Sequence, residues 1–267
     1  MTDQLLCSVD MARFVAEGLL QVDGVVPEEL NRAVIEEINT GVIGFKGFPY
    51  QPARLELGNY GRLKDVFALP ALAGMVTSLL GSDPVLDHVA VHFNFKGGVG
   101  GQEWHSDDPA FDARPGFDVQ FFYFPHETTL DMGGTLFLPA SHTRHVDEFA
   151  VARYMNIRGQ RQIVCPPGTV VATHHAIWHC GARPNRTDRD RFVVKVRLNR
   201  SGPLYRTWDT SDLESPEVTR ILGAYPAFMD HEVSLDHLQR LRLWQRLTGD
   251  ESFDTGQGVN QRLTGPP

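Results

Sequence analysis

In HVAVHFNFK, residues 88–96, Val89, Val91, Phe93 and Phe95 alternate with His88, Ala90, His92, Asn94 and Lys96. A period of two sends alternate side chains to opposite faces of a strand, so this segment predicts a strand with one apolar and one polar face. N-terminal to it the period is 3.6. VPEELNRAVIEEIN (26–39) carries Pro27 where a first helical turn tolerates it, with Leu30, Val34, Ile35 and Ile38 at helical spacing. A second helix is expected over 71–80, closed by Gly81, and both helices should pack on the outside of a sheet. C-terminal to the quoted strand, further strands are expected at 119–124, 134–138, 168–173 and 191–198, separated by Gly, Pro, Asp and Asn clusters. Beyond Asn199 the pattern is helical again: SLDHLQRLRLWQRLTG (234–249) places Ser234 as an N-cap, Leu235, Leu238, Leu241 and Trp244 as a stripe, and Gly249 as a stop. Short strands without interleaved helices imply a mainly β fold, an antiparallel sandwich or barrel with flanking N- and C-terminal helices.

No internal repeat or Gly/Ser/Pro-rich linker divides the 267 residues, so one domain, 1–267, is expected: a helical part to about 82, a strand core over about 83–200 and a helical tail over about 201–267. The tail reads as a cover for the core or as a contact in a homo-oligomer. Asp plus Glu number 33 against 25 Lys plus Arg, and no basic run could neutralise a phosphate backbone, which argues against nucleic acid as a partner. No stretch reaches the roughly 20 apolar residues that cross a bilayer, and MTDQLLCSVDMARF lacks the basic start and apolar run of a secretion signal. No membrane partner and a cytoplasmic location are therefore expected. Three cysteines, Cys7, Cys165 and Cys180, are an odd number without CxxC spacing, against both a disulfide framework and a thiolate zinc site. Eleven histidines, several close together in two short segments, raise the question of a metal.

QEWHSDD (102–108) sets His105 and Asp107 two residues apart, positions that project from the same face of an extended segment; Asp108 replaces Asp107 only if the strand is bulged. A third ligand has to come from a distant strand, and His179 in THHAIWHCG (173–181) is the candidate. Two imidazoles and a carboxylate form a facial triad that leaves three octahedral positions open. After His179, HCGARPNRTDRDRF (179–192) passes through a turn into the strand that begins near Arg191. An arginine pointing inward there holds a carboxylate through two parallel hydrogen bonds, which lysine does not reproduce.

Taken in order, WHSD (104–107), GGTLFLPASH (133–142), PGTVVATHHAIWH (167–179) and PNRTDRDRF (184–192) resemble the bacterial members of the phytanoyl-CoA dioxygenase family, a branch of the iron(II)/2-oxoglutarate oxygenases. The resemblance implies a double-stranded β-helix, the cupin-like jelly roll. It implies iron(II) held by His105, Asp107 and His179, with 2-oxoglutarate as cosubstrate and O2 as oxidant. Arg191 would anchor the distal carboxylate of 2-oxoglutarate, with Asn94 and Lys96 on the cosubstrate side. The implied reaction is hydroxylation of a C–H bond of a small molecule with release of succinate and CO2. Halogenating relatives replace the carboxylate ligand by a small residue, so Asp107 favours hydroxylation. The chain departs from the family pattern in having Cys180 and Gly181 after the distal histidine and a loop one residue longer before the arginine, which leaves Arg189 as an alternative to Arg191. A cupin-like metal-dependent hydrolase or isomerase that does not use 2-oxoglutarate is the competing enzyme reading, and a non-catalytic small-ligand-binding jelly roll the other.

Other residues have simpler explanations. His142 and His145 read as local hydrogen bonding, His174 and His175 as satisfied polar side chains, and Trp104 and Trp178 as core. Lys195 and Arg197 share the face of Arg191 if the strand is regular, and with His92 would line an anion-seeking wall. Substrate contacts are expected on loops 40–60, 97–103 and 108–118 and on the tail, which follow no sequence rule.

Overall fold

A computed structural model describes residues 4–44, 53–54, 57–98, 101–108, 117–144, 147–181, 183–224 and 231–256. The strands are β1 (Leu19–Val22), β2 (Ala53–Arg54), β3 (Val85–Asn94), β4 (Val119–Phe124), β5 (Leu136–Phe137), β6 (Arg161–Gln162), β7 (Thr169–His174), β8 (His179–Cys180) and β9 (Arg191–Asn199). The α-helices are α1 (Ser8–Glu17), α2 (Glu28–Asn39), α3 (Leu63–Phe67), α4 (Pro70–Leu80), α5 (Glu148–Val151), α6 (Pro216–Leu222) and α7 (His231–Thr248). Among the described residues the strands form a six-stranded antiparallel sheet in the order β1-β7-β4-β9-β3-β2 and a three-stranded sheet in the order β6-β5-β8.

Strand parity sorts the large sheet into two faces. Val89, Phe121, Tyr123, Val170, Ala172, Val194 and Val196 are buried with Phe14, Val34, Val66 and Leu79 of the helices, in the cluster between helical layer and sheet. The intervening Phe122, Phe124, Val171 and Val193 pack with Phe137, Ile163 and Ile177 in a second cluster toward the small sheet. A strand buried on both faces reads as a continuous apolar run, which is what VQFFYF of β4 is, apart from Gln120. The helices over 26–39 and 71–80 lie where expected, with Gly81 at φ +83 ending α4. The Tyr123 hydroxyl donates to Asn31 Oδ1 at 2.6 Å and ties α2 to the sheet.

Three expectations need correction. In β3 the alternation holds at first, with Val89 fully buried, but it reverses at the end of the strand: Asn94 is buried, whereas Phe93 is 47% and Phe95 61% exposed. The two phenylalanines stack on each other at 5.6 Å, and Phe93 also meets Phe192 at 5.7 Å, so aromatic contact covers part of what the core does not. Helix α7 begins at His231, three residues before Ser234, which therefore lies inside the helix and does not cap it. Its stripe is also displaced: Leu235 is exposed, and Leu241, Trp244 and Leu247 are buried. The sequence reading also lacked α1 and β1. SVDMARFVAE buries Met11, Phe14 and Val15 at helical spacing, and Gly18 ends it at φ +76 with a Cβ position that the His142 ring would overlap.

Trp244 joins the tail to the core, with ring centroids 5.8 Å from Trp208 and 6.1 Å from Phe253, and it is fully buried. Trp244→Ala is expected to cost about 3–5 kcal/mol and to lower Tm by on the order of 10 °C. Differential scanning calorimetry measures both.

Candidate metal centre

His105 and His179 face each other across an antiparallel bridge, His105 N–H to His179 O at 3.0 Å and His179 N–H to His105 O at 2.9 Å. This bridge prolongs the small sheet beyond β8, but it is a single pair and not the strand expected around His105. The chain bends directly after it, where Ser106 Oγ donates to the Ala176 carbonyl at 3.1 Å and accepts from the Asp108 N–H at 3.4 Å. That bend still delivers Asp107 to the two rings. One ligand atom from each of His105, Asp107 and His179 lies within 4.8 Å of the others, and among the described residues this is the group of His, Cys, Asp and Glu side chains able to hold an ion.

The tautomers follow from the carbonyls beside the rings. His105 Nδ1 lies 2.8 Å from the Glu103 carbonyl and His179 Nδ1 lies 3.1 Å from the Ile177 carbonyl. A carbonyl only accepts, so each Nδ1 carries a proton, and in the neutral ring Nε2 is left to present its lone pair. Those Nε2 atoms stand 3.7 Å from Asp107 Oδ1 and 3.6 Å from Asp107 Oδ2. Burial pushes the His179 imidazole down to about 3, so it is neutral at pH 7. Burial would raise the Asp107 carboxyl, but the His179 ring, the Lys195 ammonium and the Gln120 amide hold it well below the ordinary carboxylate range. Two lone pairs and a carboxylate thus converge without a proton among them, an arrangement that a cation between them would stabilise. The donor set fits a divalent metal of the iron(II) type.

Arg191 is positioned by the turn before β9. Asn185 is buried and donates through Nδ2 to the carbonyls of Asn94 (3.0 Å) and Arg189 (2.8 Å), pinning the turn on β3 and starting β9 with Arg191 opposite Asn94. Arg191 points inward at 3% exposure, and its Nε and Nη1 are buried without a hydrogen-bond partner. Burial pushes its guanidinium down to about 10. Orphan donors on a buried cation fit a carboxylate brought in by a ligand. Arg189 is on the outside, 62% exposed and 3.7 Å from Glu127, so the longer loop is absorbed before Arg191 and does not exchange the two.

Asn94 has its amide donors committed to the carbonyls of Arg183 (2.9 Å) and Met132 (3.2 Å), which makes it a brace between two loops. Gly133 completes that brace at φ +66, where a side chain would run into the Arg183 carbonyl. Lys96 is exposed, and the structure does not bring it to the other residues. Lys195, by contrast, is 7% exposed, and its Nζ donates to Asp107 Oδ2 at 2.6 Å. Gln120 Nε2 reaches the same oxygen at 2.6 Å and was missed in the sequence, although a lone polar residue in an apolar strand is a signal for it. Arg197 turns away to Asp118 (3.6 Å) and Asp87 (3.9 Å).

Of the other histidines singled out, His142 and His174 make local hydrogen bonds, whereas His175 is not the satisfied side chain expected. His142 approaches the Val15 carbonyl at 3.1 Å, and the His174 ring accepts from Ala176 N–H at 3.1 Å; His175 is buried with Nδ1 unpartnered. His145 lies outside the described residues. Trp104 and Trp178 pack with Leu136 and Cys180 in a third cluster, and burial pushes the Cys180 thiol up to about 11. Of the loops expected to contact substrate, residues 45–52, 55–56, 99–100 and 109–116 lie outside the described residues, as does the tail from 257. No helix among the described residues is long and apolar enough to cross a membrane.

No curated protein sequence matches the chain. Solved structures that resemble it include EvdMO1, at 17% identity and TM-score 0.55 over 72% of this chain; the chain spans about half the length of that protein, 50%. EctD from S. alaskensis with bound Fe is similar at 16% identity and TM-score 0.59, over 79% of this chain and 81% of EctD. The non-heme alpha ketoglutarate dependent epimerase SnoN from nogalamycin biosynthesis is similar at 16% identity and TM-score 0.54, over 72% of this chain and 82% of SnoN. At such identities the likeness establishes the fold, a double-stranded β-helix. The family model described as phytanoyl-CoA dioxygenase matches residues 54–193, more than half of the chain, and the chain belongs to the phytanoyl-CoA dioxygenase family.

Proposed function

We propose that this protein is an iron(II)- and 2-oxoglutarate-dependent dioxygenase that hydroxylates a C–H bond of a small molecule, with the metal at His105, Asp107 and His179 and the cosubstrate carboxylate at Arg191. The observation that carries this reading is the pairing of a triad whose lone pairs converge without a proton and a buried arginine with two unpartnered donors. When bound, iron and 2-oxoglutarate would activate O2, the oxidant, with 2-oxoglutarate giving succinate and CO2, one oxygen atom going to succinate and the other to the substrate. The chain's own residues do the rest. His105 and His179 offer Nε2 in fixed tautomers because the Glu103 and Ile177 carbonyls take the other ring proton. Arg191 sets the orientation of the cosubstrate through paired donors. Phe122 and Phe137, edge-on and tilted against the His179 ring at 5.7 and 5.9 Å, keep water from that side of the site. A metal-dependent hydrolase or isomerase would have no use for a buried arginine with free donors, which disfavours that alternative.

The test is anaerobic. Iron(II) and 2-oxoglutarate added to the metal-free protein are expected to give a weak visible charge-transfer band. Iron bound without such a band would sink the oxygenase reading.

A further inference from the structure

The Lys195 ammonium is a cation built into the metal site itself. It lies on β9 two inward-facing positions beyond Arg191, is 7% exposed, and donates to Asp107 Oδ2 at 2.6 Å. The Phe122 ring lies 5.7 Å away, the His92, His175 and His179 rings feel its charge, and burial leaves that charge where water screens little. A dication held between His105, Asp107 and His179 has to share the Asp107 carboxylate with this ammonium and to sit within a few ångströms of it.

We propose that Lys195 competes with the metal for Asp107 and thereby makes tight metal binding depend on the dianionic cosubstrate. The inference rests on the oxygenase reading above. With the metal alone, one half-buried carboxylate faces a dication and two buried side-chain cations, Arg191 and Lys195. Binding of 2-oxoglutarate cancels most of that surplus, so each ligand favours the other, and the coupling is reciprocal. The protein in effect discourages a loaded metal that has no cosubstrate on it, the state in which oxidation would have no useful target. Gln120, which also reaches Asp107 Oδ2 at 2.6 Å, keeps the carboxylate in place when the ammonium is drawn toward the cosubstrate.

The test uses Co(II), read by its d–d absorption at constant pH, with and without saturating 2-oxoglutarate, on the full chain. Lys195→Gln keeps a neutral donor near Asp107 and removes the charge. It is expected to bind Co(II) alone about tenfold more tightly than the wild type, and the gain that 2-oxoglutarate confers is expected to shrink by about tenfold, within the range of ordinary coupling energies. If Lys195→Gln does not fold, Lys195→Met, which leaves Asp107 the Gln120 bond, is read in the same way. Weaker Co(II) binding in the variant would show that Lys195 holds Asp107 for the metal and would overturn the proposal. An equal gain from 2-oxoglutarate in wild type and variant would overturn it too, with the oxygenase reading intact. If 2-oxoglutarate has no effect on the wild-type protein, the oxygenase reading fails and takes this inference with it.

Discussion

His179→Ala is expected to abolish the iron(II)–2-oxoglutarate band and to weaken metal binding by roughly 100-fold or more, since loss of a direct ligand exceeds the 10- to 100-fold typical of residues that only support one. The effect should be large at this position because His179 is the most enclosed of the three candidate ligands, 3% exposed against Phe122 and Phe137. Removing the ring also leaves a cavity, so part of any loss of signal would reflect altered packing. His179→Gln fills more of that volume and keeps a polar atom, and it separates the two contributions. Both variants are measured by Co(II) titration and succinate release, with thermal unfolding alongside. Tight metal binding in both would remove His179 from the site.

Arg191→Met is expected to raise the 2-oxoglutarate concentration needed for half-saturation by roughly 100-fold, the loss of two hydrogen bonds to a charged group. Metal affinity measured without cosubstrate should not fall. Arg191→Lys retains the charge but lacks the planar fork, and recovers only part of the loss. The same substitution has an opposite expected effect on stability. Burial pushes the guanidinium down to about 10, and Nε and Nη1 have no partner in the ligand-free protein. At neutral pH, below both the folded and the unfolded value, the arginine is charged in either state and the cost of burying it is fully present. Replacing it by a methionine of similar length should leave Tm of the cosubstrate-free protein unchanged or raise it. Lower Tm together with unchanged 2-oxoglutarate saturation would mean that Arg191 is structural.

Much of the fold was legible because it rests on local rules. The strands at 119–124, 168–173 and 191–198 and the helices over 26–39 and 71–80 are set by apolar periodicity and by glycine and proline at their ends. Where local rules compete with tertiary context they failed. Phe93 and Phe95 alternate like core residues, yet they are exposed, and the polar Asn94 between them is buried. No pattern of hydrophobicity announces an interior that is itself polar. Likewise Ser234 is a sound cap for the helix that periodicity describes, but α7 starts a turn earlier.

The site divides along the same line. The sequence by itself singled out the candidates: His105 and Asp107 as ligands by their two-residue offset, His179 by its place in a motif, and Arg191 as a carboxylate anchor because it opens a strand. Only the tertiary structure decided that Arg191 faces inward while Arg189 meets solvent, that Asn94 braces two loops, that Lys96 is exposed, and that Lys195 and Gln120 meet on one oxygen of Asp107. The reason is physical. Ligand identity follows from side-chain chemistry and short spacings along the chain, whereas burial, unpartnered donors and shared acceptors arise between segments 13 to 89 residues apart, brought together by sheet register.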